Sequence, residues 1–296
     1  MAKRLLALFV TTIFMATSLS AQDDVQFPFP QIPEQLQTPE ARLGYLMEHY
    51  WSRYDFSDTS ERNQAVAEQG FADYVNLMQY ADSATCALSA RVLADSISRS
   101  QSRLEQFDGL VDHYLGNPNS PLRNDVTYAP LLRALSPLPQ LDEARRSRMA
   151  FRLRMVERNQ PGSLAADFTF IDREGREHRL YDVDSELTLI VFSDPECEHC
   201  HEQMPRIMGS RVLTQDARLR VLNIYPDHNA EAWLKDVKPL PQNWLEGRSP
   251  EGLIIREQTY YLPALPSLYL LDRQKRVVVK DGTLEQVEAV LSQMKP

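Results

Sequence analysis

The chain has 296 residues, 43% of them hydrophobic and 25% charged, and 41 acids against 32 basic residues give a net charge of −9. That length is enough for two cores, and the acidic balance argues against nucleic acid or anionic membrane as a partner, because basic patches supply most of that affinity. Three cysteines are too few for a disulfide-stapled scaffold, so a closely spaced pair reads as functional rather than structural.

Lys3 and Arg4 precede an apolar stretch over residues 5–16, and the small residues Ser18, Ser20 and Ala21 follow. This is the pattern of a secretory signal peptide, residues 1–21, cut after Ala21. The apolar stretch is shorter than a bilayer span, and no cysteine near the cut offers a site for lipid. Cleavage would remove two basic residues and no acid, leaving the mature chain at −11. The expected product is exported to the periplasm or cell envelope, with no stable transmembrane anchor.

Residues 22–37 are polar and dotted with Pro28, Pro30 and Pro33, an extended lead-in. Thr38-Pro39-Glu40 then supplies an N-cap, a proline at the first helical position and an acid in the first turn. Helical spacing predicts helices from there through Tyr50, over 63–81, after Asp82-Ser83, over 103–115 ending at Gly116, and near 128–135 and 142–158. Strand-like alternation is missing from this half, which predicts an all-α domain over 38–160. Cys86 falls on an apolar helical stripe with Ala90, Leu93 and Ile97 and reads as a buried free thiol, a third redox-active thiol being the alternative.

Asn159-Gln160-Pro161-Gly162 is the joint, since helical periodicity stops before it and strand periodicity starts after it. Beyond it, strands are predicted at 168–171, 176–180, 188–193, 220–225, 268–272 and 276–280, and helices at 199–212, 230–237, near 251–259, and at 284–294. Alternating strands and helices that close with a hairpin and a helix fit an α/β domain over 163–296, a mixed sheet covered on both faces. About forty residues separate Tyr225 from Leu265, long for a plain crossover, and an extra helix and loop beside the active site is the expected filling.

The chemistry concentrates in residues 188–205, TLIVFSDPECEHCHEQMP. An apolar run leads through a Ser-Asp-Pro turn to Cys197-Glu198-His199-Cys200 and a helical segment. Two residues between cysteines in a first helical turn bring the sulfurs within bonding range, and a helix amino end favours an anionic sulfur at Cys197. Pro205 follows Cys200 by five residues, and Leu265-Pro266-Ser267 runs into a second apolar strand, where tertiary context could lock a cis peptide.

Strand, Cys-x-x-Cys, helix proline and second proline loop, in that order, resemble the thioredoxin superfamily over residues 163–294. The DFTFIDREGREHRLYDV run resembles the hairpin that opens its secreted thiol–disulfide oxidoreductase branch. With YLGNPNSPLRND and the DPxCxxC form of the motif, the arrangement resembles a bacterial family in which an uncharacterised helical domain precedes a thioredoxin-like one. The resemblance implies a redox-active disulfide between Cys197 and Cys200. It implies exchange with protein thiols and disulfides of the envelope, an upstream redox partner and no cofactor. Cys197 would attack, Cys200 would resolve, Pro266 would keep its loop against the sulfurs, and the backbone of Leu265 would pair with a bound peptide. Protonated His199 favours a Cys197 thiolate, while Asp194, Glu196, Glu198 and Glu202 oppose it.

Departures from the family pattern stand beside this. The buried acid and neighbouring lysine of thioredoxins fall at Val191 and Val221, and the glutamate that often follows the second cysteine in the secreted branch is Gln203. The usual proton acceptor is therefore missing, with Glu202, His199 or water as replacements. The tryptophan that often precedes the first cysteine is Glu196. Rival readings are haem attachment at Cys197-x-x-Cys200-His201 with His201 as axial ligand, a metal held by the two cysteines and a histidine, and an envelope binding protein with an inert pair.

Overall fold

The computed structural model describes residues 26–294, so the leader and its cut lie outside the described residues. Six helices come first: α1 (Pro39–His49), α2 (Glu61–Met78), α3 (Ser83–Ile97), α4 (Gln101–Val111), α5 (Asp125–Leu135) and α6 (Glu143–Val156). Each begins on a side chain that accepts a hydrogen bond from the first turn, in order Thr38, Ser60, Asp82, Ser100, Asn124 and Asp142. Such caps satisfy amides that no intrahelical partner reaches. The helix expected over 103–115 changes pitch instead, and Asp112–Gly116 continues α4 as a π-helical turn.

The helical core is unusually aromatic. Trp51 stands edge-on to Phe27, Tyr50, Tyr54, Tyr74 and Phe107, with ring centroids 5.2–5.7 Å apart. Buried hydroxyls close on backbone carbonyls, Tyr50 Oη on Gly70 at 2.8 Å and Ser89 Oγ on Met47 at 2.6 Å. The lead-in takes part, because Phe27 is buried against Gly70. Cys86 is a free, buried thiol whose sulfur donates to the Met78 carbonyl.

The second half comprises β1 (Thr169–Ile171), β2 (Glu177–Arg179), β3 (Leu187–Phe192), α7 (Glu198–Met208), α8 (Arg211–Gln215), β4 (Leu219–Tyr225), α9 (Ala230–Lys235), β5 (Trp244–Arg248), α10 (Leu253–Arg256), β6 (Ser267–Leu271), β7 (Val277–Gly282) and α11 (Leu284–Gln293). The strands form one mixed sheet in the order β2-β1-β5-β4-β3-β6-β7, with β3, β4 and β5 parallel and β6 antiparallel to β3. Strand residues alternate between two cores. Leu189, Val191 and Val221 face α7 and α11, while Ile190, Phe192 and Leu222 face Phe168, Tyr260 and Tyr269.

Three expectations need correction. Residues 225–265 hold a strand, β5, besides the expected helix. Its sequence, Trp-Leu-Glu-Gly-Arg, has no clean alternation, and Gly247 is small because a Cβ there would come within 2.5 Å of Phe170. The helix expected over 199–212 breaks at Gly209, and Ser210 caps a new one. In place of one helix near 251–259, a 3₁₀ turn, Pro250–Gly252, leads into the single turn of α10.

The joint is sewn in rather than free. Gly162 N–H donates to the Val277 carbonyl at 2.7 Å, and Val277 N–H returns a bond to Ser163. Asn159, in the left-handed region at φ 50°, donates through its side chain to Thr259 O and accepts from Ala166 N–H.

Candidate active site

Six consecutive buried residues in β3 deliver the chain to the rim of the sheet, where Ser193-Asp194-Pro195 turns it into α7. Asp194 shapes that turn by accepting the Glu196 N–H at 2.7 Å. Cys197 is the N-cap of α7, and its sulfur accepts the Cys200 N–H at 3.4 Å. A sulfur thus occupies the position that Ser or Asp fills in an ordinary helix cap, where the helix dipole favours negative charge.

Both motif cysteines are free thiols, and they differ in access. Cys197 is half-buried, while Cys200 lies one turn inside at 1% exposure. Burial, together with the adjacent Cys197, pushes the Cys200 thiol up to about 12, against the counter-pull of the Asp194 N–H that donates to its sulfur at 3.5 Å. One sulfur is presented and the other held back as a thiol.

Across the opening, Leu265–Pro266 is a cis peptide, and the Cys197 thiol donates to the Leu265 carbonyl at 3.8 Å. Residues 68 apart in the chain therefore meet at the sulfur. His199 and Glu202 do not join them. They pair with each other at 3.6 Å on the solvent side of α7, with about two-thirds of each side chain exposed. His201 Nε2 donates to the Pro195 carbonyl at 2.6 Å, so the nitrogen an axial haem ligand would present is turned onto the loop. Among the described residues no group of three His, Cys, Asp or Glu side chains is arranged to hold a metal ion.

A small cleft of about 30 Å³ opens beside Cys200, and Ser193, Asp194, His201, Asn223 and Tyr225 are part of its wall. Asn223, not Val221, is in register with Val191, and its side-chain oxygen accepts from Ser193 Oγ at 2.7 Å. Polar groups therefore sit behind the buried thiol although Val191 and Val221 are apolar. The only sequence signal for them is a pair of small polar residues near the ends of otherwise apolar strands. Arg173, from the turn between β1 and β2, lies over the Trp233 ring at 4.2 Å and bonds Glu246 at 2.5 Å, pinning α9 beside the cleft. Asn229, the cap of α9, donates to Glu196 at 2.9 Å and so ties the insertion to the cysteine loop. Asn229 lies in no motif, and the DFTFIDREGREHRLYDV run that contains Arg173 assigns it no role.

A mixed sheet covered by helices, with Cys-x-x-Cys opening a helix opposite a cis-proline loop, defines a thioredoxin-like protein. Over most of its length the chain is similar to a thioredoxin-like protein from Bacteroides caccae of known structure, at 31% identity, covering 91% of this chain and 99% of that one with a TM-score of 0.84. It is also similar to the thiol-disulfide oxidoreductase ResA of Geobacillus thermodenitrificans, 26% identical over 145 residues that make up 46% of this chain and 78% of that one. The chain belongs to the family described as a domain of unknown function, DUF5106, whose model matches residues 10–159, joined here to a thioredoxin-like region.

Proposed function

We propose that the protein is an exported thiol–disulfide oxidoreductase whose Cys197 and Cys200 exchange disulfides with proteins of the cell envelope. The observation that carries this reading is the asymmetry of the pair: a presented sulfur at a helix cap facing Leu265 O, and a buried one below it. In the reducing direction, Cys197 as thiolate attacks one sulfur of a partner disulfide. A Cys197–partner disulfide forms and the other partner sulfur leaves as a thiolate. Cys200 then loses its proton to the cleft, by way of water, and attacks Cys197 Sγ. The products are a Cys197–Cys200 disulfide and a partner with two thiols, two electrons having passed to it. An upstream dithiol reverses the change in the protein, and with an oxidising upstream couple the sequence runs backwards. Leu265 offers main-chain groups to an extended peptide beside the attacked sulfur, as in strand addition.

Export rests on the leader pattern of residues 1–21; among the described residues no helix is long and apolar enough to cross a membrane. The test is trapping in cells. Cys200→Ser should accumulate mixed disulfides with envelope proteins, and Cys197→Ser should form none and lose turnover of a model disulfide in the presence of a dithiol. Undiminished turnover by Cys197→Ser would end the assignment, and absence of turnover in the wild type would favour a binding protein instead.

A further inference from the structure

The YLGNPNSPLRND run is not used by the chemistry above, yet it crosses the molecule to the strand beside the active-site loop. Arg123 Nη1 lies 2.6 Å from Asp281 Oδ2, and Lys280 Nζ lies 2.7 Å from Asp125 Oδ2. Two charges from the helical half thus meet two of opposite sign on β7, and the four side chains are between 3% and 17% exposed. Asp281 adopts the left-handed region at φ 45°, which an ordinary side chain avoids. Its second oxygen accepts the Ser267 hydroxyl at 2.6 Å. Ser267 is the residue after Pro266.

Two further contacts hold the same segment. Tyr261 packs into the helical core with the Arg123 guanidinium 5.5 Å and the Lys280 ammonium 5.9 Å from its ring centre. Asn159, just past α6, donates to the carbonyl of Thr259 at 3.0 Å. Residues 259–267 are therefore fastened at 259, 261 and 267, each time through the helical half or a group paired to it. Leu265, which faces Cys197, is suspended between the last two fastenings.

We propose that Arg123 and Asp125 are positioning residues: the helical half is a brace that sets the Leu265 backbone at the height a substrate peptide needs above Cys197. The proposal rests on the exchange reading above and extends it to the role of the helical half. Burial pushes the Asp281 carboxyl up and the Lys280 ammonium down, and the opposite charges across the seam, Arg123 and Asp125, offset part of each push. Removing Arg123 leaves Asp281, which accepts the Ser267 hydroxyl, without the cation beside its other oxygen.

The test compares a disulfide-bonded peptide with a small aromatic disulfide that needs no backbone pairing, using full-length mature protein. Arg123→Gln and Asp125→Asn should raise KM for the peptide about tenfold while kcat on the small disulfide stays within about twofold. Arg123→Lys, which keeps the charge, should recover part of the loss. Amide exchange of residues 259–267 should quicken in Arg123→Gln, a readout independent of turnover. Unchanged peptide KM with unchanged amide exchange in a folded variant would overturn the brace, as would equal losses on both substrates. If Arg123→Gln does not fold, Asp125→Asn and Arg123→Lys carry the same comparison. Failure of wild-type turnover on either disulfide would count against the exchange reading, and unchanged amide exchange would then decide the brace by itself.

Discussion

Cys200 shows how one residue's surroundings set its timing. Its sulfur is packed among Met204, Val191 and Leu268, and the thiol is pushed up to about 12 chiefly by that burial. At neutral pH it is a thiol that must be deprotonated before it resolves anything. In Cys197→Ser, where Cys200 stands alone, its alkylation rate should keep rising about tenfold per pH unit through pH 10 without a plateau. A plateau near 8 in stopped-flow alkylation would show that burial does not govern the thiol. The linkage has the same sign. The ordinary thiol value of 9.0 is raised to about 12 in the fold, so the unfolded chain releases this proton first. The reduced protein should therefore be indifferent to this group below pH 9 and lose stability between pH 9 and 12. Denaturant titrations of wild type and Cys200→Ala across that window measure the difference, and parallel curves would refute it. The cysteines and Pro205 are readable from local spacing, and Pro266 from the apolar strand it immediately precedes. Asn223, Arg173 and Asn229 are not, since each acts through a partner that only the sheet brings near.

At the scale of elements, caps and periodicity carried most of the information. Thr38, Asp82 and Asp142 were expected starts and are the observed N-caps, and β3, β4 and β6 are apolar runs flanked by turn residues. The elements that escaped are those whose stability is borrowed. β5 contains Glu246 because Arg173 partners it, and it pairs with β4 and β1 instead of supplying a hydrophobic face of its own. The lead-in is another borrowed element, with no helix or strand among its described residues and yet Phe27 only 3% exposed. A Cβ at Gly70 would fall 2.1 Å from the Phe27 ring, so α2 carries glycine there despite its low helix propensity. Gly70→Ala should therefore expel Phe27 and cost about 1–3 kcal/mol, the range for overpacking a filled core. A companion Phe27→Ala should largely remove the clash, so the double variant should be less destabilised than the two single changes sum to. Strict additivity in thermal unfolding would show that the strap is not packed on α2.

On the scale of the whole molecule, the open question is whether two halves that read as separate domains behave as such. Their sequences change character at residues 159–162, and that shift of periodicity is all a local reading can register. The seam itself was illegible, because Arg123 and Asp281 lie more than half the chain apart and a pair of charges has no period. Yet the seam is largely buried, charged on both sides and continuous with the strand after the cis-proline loop. Buried pairs of this kind add little net stability against an apolar alternative but are costly to break from one side. The wild-type chain should accordingly unfold in a single transition, reported alike by Trp51 in the helical half and by Trp233 and Trp244 in the sheet half. Lys280→Met keeps the apolar stem and strands Asp125, and it should lose about 3 kcal/mol and separate the two signals, the half around β7 melting first. Calorimetry with tryptophan fluorescence on Trp51→Phe backgrounds distinguishes the outcomes. Two transitions already present in the wild type would mean that the halves are merely tethered, whereas their appearance only on cutting the seam would make the DUF5106 region part of the folding unit that carries the cysteines.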